Sequence, residues 1–392
     1  MRVAVVSESF LPTVNGVTTS VLRVLEHLHK RGHETSVIAP AGAPADYAGA
    51  RVVPVPTLSY REFPVGLPTP IVSRTLADFA PDVVHAASPF LLGAHAIGAA
   101  SRLSIPSVAI FQTDVAGYAK RNKLSAATSF AWRVVNLVHD KADLTLAPSS
   151  SALGDLAAAG VQRLDRWGRG VDLEGYHPRL RQDADALALR ASLAPQGELI
   201  VGYVGRLAPE KQVERFAALR DIPGIRIVIV GDGPSGTSVR AALRGMPVDY
   251  LGALHGRDLA LAYASFDIFA HNGSEETFGQ TIQEAQASGL PVIAPRAGGP
   301  IDLIDHGRTG LLTNPDDSRS LRAAVRELAG DSALRARLGE AGRRAVLGRT
   351  WEALGDQLIG HYERVIDEAR ARRTADGETM FRLLGTQGAR LF

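Results

Sequence analysis

The segment LIVGYVGRLAPEK, Leu199–Lys211, decides the fold. Its first six residues, Leu199–Val204, are apolar without polar alternation, the pattern of a strand covered on both faces in a parallel sheet. Gly205 ends that strand, and the loop behind it offers Arg206 and Lys211. Similar runs follow at Ile225–Val230, Val248–Leu251, Ile268–Ala270 and Pro291–Ala294, with longer amphipathic stretches between them. The first half carries the same rhythm, with strands expected at Val3–Ser7, Thr35–Ala39, Asp82–Ala86, Ser107–Phe111 and Leu144–Ala147. A helix is expected over Val17–Arg31, ended by Gly32. Strands that alternate with helices mean α/β architecture, and two such series in one chain mean two Rossmann-like domains.

With 392 residues the chain exceeds what one hydrophobic core usually serves, in keeping with two domains. The boundaries read from the sequence are 1–175 for the first domain and 176–350 for the second, with a helix over 351–372 and a loose tail over 373–392. The stretch from Asp172 to Gly197, with Pro178 and Pro195, reads as a linker plus one short helix. Trp351, Leu354, Leu358, Tyr362 and Val365 recur at helical spacing, so that helix buries one face.

Composition removes several function classes. Forty-three basic against 41 acidic side chains give a net charge of +2, too balanced for nucleic-acid binding by bulk electrostatics. The absence of cysteine excludes thiolate chemistry and suits a cytoplasmic setting. Metal signals are poor: there is no helical His pair, and the Asp183/Asp185 pair sits in the linker without supporting ligands, so no metal and no cofactor are expected. The opening MRVAVVSESF reads as a first strand and lacks the length and cleavage site of a signal peptide. No apolar stretch approaches the roughly 18 residues needed to cross a bilayer. Peripheral membrane contact is a separate expectation: Lys120, Arg121, Lys123 and Arg133 accompany Phe130 and Trp132 on a helix that otherwise reads as ordinary cover for the first sheet.

The segment NGSEETFGQTIQEAQASG, Asn272–Gly289, places seven residues between Glu276 and Glu284. If a helix begins near Phe278 or Gly279, Glu276 stands in the loop before it and Glu284 lies about 8 Å along its axis. Two carboxylates then address one ligand at different points. The backbone N–H groups of Phe278, Gly279 and Gln280 would face an anion such as a diphosphate at the helix start. In isolation such a spacing more often marks a capped, solvated surface helix, so the neighbouring motifs decide. Arg206 and Lys211 supply them, because ligands of open α/β sheets bind at the carboxyl ends of the strands and two cations suit a diphosphate whose charge grows as a bond breaks. On the first half, the loop PTVNGV, Pro12–Val17, offers the Gly16 N–H to a phosphate, and FQTD, Phe111–Asp114, offers Gln112 and Asp114 as acceptor-side contacts. His85 reads as a satisfied core residue. The segment IRIVIVGDGPSG, Ile225–Gly236, formally matches a dinucleotide fingerprint at Gly231, Gly233 and Gly236, but it follows the second strand of its domain instead of the first.

Taken together, Asn15–Gly16, GRLAPEK at Gly205–Lys211, VGDGP at Val230–Pro234, EETFGQTIQEAQASGLPVIA at Glu275–Ala294 and AGGPIDLIDHGRTGLL at Ala297–Leu312 resemble the retaining family 4 glycosyltransferases of the GT-B fold. The resemblance runs from the first strand to about Arg370. It implies GT-B architecture: two Rossmann-like domains facing a central cleft, the first binding the acceptor, the second the nucleotide sugar, and a C-terminal helix that crosses back to the first domain. It implies that Glu276 contacts the donor sugar, that Glu284 binds the ribose hydroxyls, and that Arg206 and Lys211 hold the diphosphate. FLPTVNGVTTSV, Phe10–Val21, and FQTDVAGYAKR, Phe111–Arg121, further resemble actinobacterial GDP-mannose-dependent α-mannosyltransferases acting on lipid acceptors. Many relatives carry a histidine where Gln112 stands, a departure that leaves its role to Asp114 or a backbone carbonyl.

The resulting expectation is a retaining hexosyltransferase that moves mannose from GDP-mannose to a glycolipid or other lipid-linked acceptor at the inner face of the membrane. A UDP-sugar donor is the alternative within the class. Outside it stand a nucleotide-binding oxidoreductase using the glycine fingerprint and a sugar-nucleotide epimerase or sensor.

Overall fold

The structure, a computed structural model, describes residues 1–60, 63–112 and 125–388. The chain divides into two compact units. The first comprises Met1–Ala147, Leu153–Trp167 and the chain from Leu354 onward; the second comprises Pro148–Ala152 and Gly168–Ala353.

In the first unit the strands are β1 (Arg2–Ser7), β2 (Glu34–Pro40), β3 (Asp46–Tyr47), β4 (Ala50–Val55), β5 (Thr57–Tyr60), β6 (Phe63–Gly66), β7 (Val83–Ala87), β8 (Ser107–Ile110), β9 (Leu144–Ala147) and β10 (Leu164–Arg166). Among the described residues, eight of them form one sheet in the order β10-β9-β8-β7-β1-β2-β4-β3, while β5 and β6 pair as a hairpin. All neighbours in that sheet are parallel except β3 and β4. Val5 stands opposite Val37 on one side and His85 on the other. Because Val3, Val5, Val37, Val83 and Val108 are fully buried, these strands had to be apolar on both faces. The helix Gly16–Lys30 follows β1, capped by the Asn15 side chain, which accepts from Val17 N and Thr18 N at 2.9 and 3.0 Å. Gly32, at φ +76°, follows its end in the left-handed region.

The helix Trp351–Gly388 joins the first unit from Leu354. Its Leu358, Tyr362 and Val365 are buried in the same core as Val3, Val5, Leu25 and Val37. Polar contacts fix its register: Asp356 accepts from His27 Nε2 and Arg31 Nε, each at 2.8 Å, and Trp167 Nε1 donates to Leu354 O at 2.8 Å. The helix continues into the tail expected to be loose over 373–392, through Gly388. The Tyr362 hydroxyl and His85 Nδ1 share a buried hydrogen bond of 2.6 Å, and burial holds His85 down at about 3, neutral at pH 7. Removing the hydroxyl leaves a buried ring nitrogen unpaired, so Tyr362→Phe is expected to cost about 1–2 kcal/mol in urea unfolding.

The main segment of the second unit begins at Gly168, earlier than the sequence boundary of 175/176. Val171 N donates to Arg349 O at 2.9 Å and Val171 bridges Thr350, which ties the segment to the far end of its own unit. Its strands are β11 (Leu199–Val204), β12 (Ile225–Val230), β13 (Val248–Gly252), β14 (Ile268–Ala270), β15 (Val292–Pro295) and β16 (Leu311–Thr313). They form a parallel sheet in the order β13-β12-β11-β14-β15-β16. The chain winds outward from β11 through β13, then returns to β14 on the other side. β11 and β14 therefore stand side by side where the strand order reverses, and the crevice in which doubly wound sheets take ligands lies at the carboxyl ends of strands at such a reversal.

Among the described residues no helix is long and apolar enough to cross a membrane. Residues 118–124 of the basic aromatic segment, with Lys120, Arg121 and Lys123, lie outside the described residues. Trp132, on the helix Ser125–His139, stacks on Phe111 with ring centroids 6.5 Å apart, so this ring is spent on the sheet.

Candidate active site

In the second unit the two loops at the reversal bring together residues 65 positions apart in the chain. Pro209–Lys211, a single 3-10 turn after β11, carries Lys211, and the loop from His271 to Gly279 after β14 carries Glu276. Lys211 Nζ donates to Glu276 Oε2 at 2.5 Å, and both side chains are mostly buried, at 21% and 16% exposure. Burial alone would raise the Glu276 carboxyl, but Lys211 and His271, with Arg169 behind them, outweigh it and bring it down to about 2. The carboxylate is therefore ionised across the physiological range and carries a fixed negative charge into the crevice.

Around this pair the backbone is held from two sides. Glu276 O accepts from Gly299 N at 2.6 Å, so the AGGP segment braces the loop. Phe278 points into the core, 5% exposed, and anchors the loop's far end. Gly279, at φ +102°, adopts a conformation that side chains disfavour, and a Cβ there would stand 3.0 Å from Leu303 Cδ1. Its left-handed turn sets the helix start at Gln280, one residue later than the latest expected start, and the helix runs Gln280–Ala287. Ile282 N closes on Gly279 O at 3.0 Å. The start thus shifts by one residue, leaving Gly279 at the N-cap and putting Gln280 and Thr281 in the first turn.

One turn further on, Glu284 accepts from the Tyr263 hydroxyl at 2.9 Å. Burial pushes this carboxyl up to about 7, although the hydrogen bonds from Tyr263 and Gln280 pull the other way. The two glutamates thus differ in state: one is fixed as an anion, the other titrates near neutrality. Arg206 is exposed in the same loop as Lys211, with its carbonyl accepting from the Tyr203 hydroxyl at 3.1 Å.

The glycine fingerprint has another use. A Cβ on Gly231 would stand 2.0 Å from Gly205 O, and one on Gly233 would stand 2.4 Å from Leu207 O. These glycines let the β12 loop press on the loop of Arg206, and they do not form an open nest for a dinucleotide.

In the first unit Gly16 opens its helix and is exposed, while Asn15 already satisfies the N–H groups of Val17 and Thr18. Gln112 lies just beyond β8 and is partly buried. Asp114 falls outside the described residues. His271, Tyr263 and Gly299 were missed as site residues. A histidine and an asparagine directly behind an apolar run, His271 and Asn272, were the one available signal for the first of these.

The sequence matches the Glycosyltransferase Family 4 domain over residues 14–174 and the Glycosyl transferases group 1 domain over residues 187–345. It is 50% identical over 382 residues to a GDP-mannose-dependent alpha-mannosyltransferase of Mycolicibacterium smegmatis, covering 95% of this chain and 100% of that one. The chain belongs to glycosyltransferase family 4. A Corynebacterium glutamicum relative of the same description is 46% identical, over 93% of this chain and 89% of the relative. Among solved structures, Anabaena HepE in complex with UDP and glucose superposes with a TM-score of 0.73 at 20% identity, over 92% of this chain and 99% of that one. Sucrose-phosphate synthase from Thermosynechococcus elongatus gives 0.76, also at 20% identity, over 94% and 99%. The family 4 transferase thus has the GT-B fold, two parallel-sheet domains with the C-terminal helix returned to the first.

Proposed function

We propose that this family 4 transferase moves mannose from GDP-mannose to a lipid-linked acceptor with retention at the anomeric carbon. The observation that carries the reading is the Lys211–Glu276 pair at the β11/β14 reversal, in a chain half identical to enzymes described as using that donor. Arg206 and Lys211 take the diphosphate, together with the N–H groups of Gln280 and Thr281 at the positive end of their helix. Glu276 holds the hexose and Glu284 the ribose hydroxyls. Gly16, Gln112 and Asp114 serve the acceptor side.

Departure of the diphosphate leaves an oxocarbenium-like sugar, so the cations stabilise the charge that grows on the leaving group. The acceptor oxygen attacks C1 on the face the phosphate leaves, the bond from C1 to the phosphate oxygen breaks, and that oxygen takes the acceptor's proton. No metal enters this scheme because Arg206 and Lys211 fill the leaving-group role, and EDTA is expected to leave the transfer rate unchanged. A lipid-linked acceptor puts the reaction at the inner membrane face.

The deciding assay offers the purified protein a panel of sugar nucleotides with a membrane lipid extract and identifies products by mass spectrometry. Mannosylated lipid formed from GDP-mannose supports the proposal; product from a UDP-sugar alone overturns the donor assignment.

Glu284 makes a pH prediction. Ribose hydroxyls donate to its ionised form, and its carboxyl titrates at about 7. Donor affinity is therefore expected to rise about 10-fold between pH 6 and 8, and the rise to vanish in Glu284→Gln, measured by calorimetry. The stability linkage has the opposite sense. A carboxyl raised from 4.5 to about 7 costs the fold nothing below pH 4.5 and its full penalty above pH 7.

A further inference from the structure

His271 is 2% exposed, and neither ring nitrogen makes a hydrogen bond of good geometry, the nearest polar neighbours being the Gly273 backbone and the Glu276 carboxylate. An unpartnered buried polar group is costly to keep, so its position calls for a reason. The ring lies directly behind β14, stacked on Tyr203 of β11 with centroids 6.4 Å apart and planes 17° from parallel. It is therefore clamped across the reversal between the two strands. Its Nε2 stands 3.5 Å from Glu276 Oε2, the oxygen that Lys211 already occupies. A Cβ on Gly273 would meet His271 Nε2 at 3.2 Å and Glu210 O at 2.9 Å, so only a residue without a side chain fits between the ring and the turn that carries Lys211. Burial keeps it neutral, at about 4, so at pH 7 it is a hydrogen-bond donor and not an ion-pair partner.

We propose that His271 is a positioning residue for Glu276, whose Nε2–H takes up the carboxylate oxygen as Lys211 turns to the donor diphosphate. This rests on the reading that Glu276 holds the donor hexose. Without a second donor, a buried carboxylate that loses its ammonium would swing or take up a proton. The stacked ring supplies that donor over a shift of about half an ångström from 3.5 Å to hydrogen-bond distance. Arg169 also acts on Glu276 through charge, while Tyr203 contributes the stacking surface only.

The test measures mannose transfer from GDP-mannose to lipid extract by the full chain. His271→Phe, which keeps the stacking, is expected to lower kcat about 30-fold with KM for GDP-mannose within about threefold. His271→Gln, which restores a donor N–H, should recover to within about fivefold of wild type. In a Glu276→Gln background His271→Phe should cost less than about twofold more, because the two act as one unit. Full activity in His271→Phe, additivity with Glu276→Gln, or a Gln variant as slow as the Phe variant each overturns the role. If His271→Phe does not fold, Gln against Leu gives the same contrast. Full activity in Glu276→Gln itself would sink the underlying site reading, a different result from a slow Glu276→Gln beside a normal His271→Phe.

Discussion

Lys211→Ala is expected to lower kcat/KM for the donor by about 10³-fold, the largest effect of any single change at this site. The ammonium has two tasks. In the free protein it neutralises Glu276 at 2.5 Å, and in the proposed reaction it meets the charge developing on the departing diphosphate. Removing it also exposes the burial penalty that it offsets. Glu276 lies at about 2, below its ordinary 4.5, so the pair contributes stability that is fully present above pH 4.5 and is lost as pH falls to about 2. Breaking a pair this buried is expected to cost about 3 kcal/mol at pH 7, with the gap to wild type narrowing below pH 4.5. Urea unfolding at pH 7 and pH 3.5 reads that difference, and transfer kinetics on the folded fraction read the first.

Glu276→Gln is expected to slow transfer about 10²-fold while GDP, the product, binds several-fold more tightly than to wild type. The two effects have one cause. With the carboxylate gone, Lys211 is no longer drawn to Oε2 and its whole charge is available to the diphosphate, so ground-state affinity for the nucleotide rises. The hexose meanwhile loses the anion that positions its positive end in the transition state. A variant that lost transfer and GDP affinity together would place Glu276 on the nucleotide instead of the sugar.

The strands that build the crevice were legible because buried parallel strands leave unbroken apolar runs. Leu199–Val204, Ile225–Val230 and Ile268–Ala270 stand where their composition put them. The strands missed were short or interrupted: Ala50–Val55 contains Pro54 and Phe63–Gly66 contains Pro64, while Asp46–Tyr47, Thr57–Tyr60, Leu164–Arg166 and Leu311–Thr313 have four residues or fewer. The cations and carboxylates could be named from their loops, and the strand order explains why they meet. What a linear chain cannot display is state. Glu276 and Glu284 look alike in sequence, yet one is surrounded by Lys211, His271 and Arg169 and the other is buried beside Tyr263 and Gln280. His271 left only the signal of a polar residue behind an apolar run, since the ring that places it is Tyr203, 68 residues earlier, stacking across the sheet reversal. The domain boundary shifted because the bridge from Val171 to Thr350 joins residues that no local pattern relates.

On the proposed function, the diphosphate sits over the β11 and β14 loops of the second unit. A crystal structure of the GDP complex tests it most directly. It should show the β-phosphate oxygens within about 3 Å of Lys211 Nζ and of the N–H groups at the start of the Gln280–Ala287 helix, with the ribose hydroxyls on Glu284. GDP bound elsewhere, with Lys211 still closed on Glu276, would contradict the account.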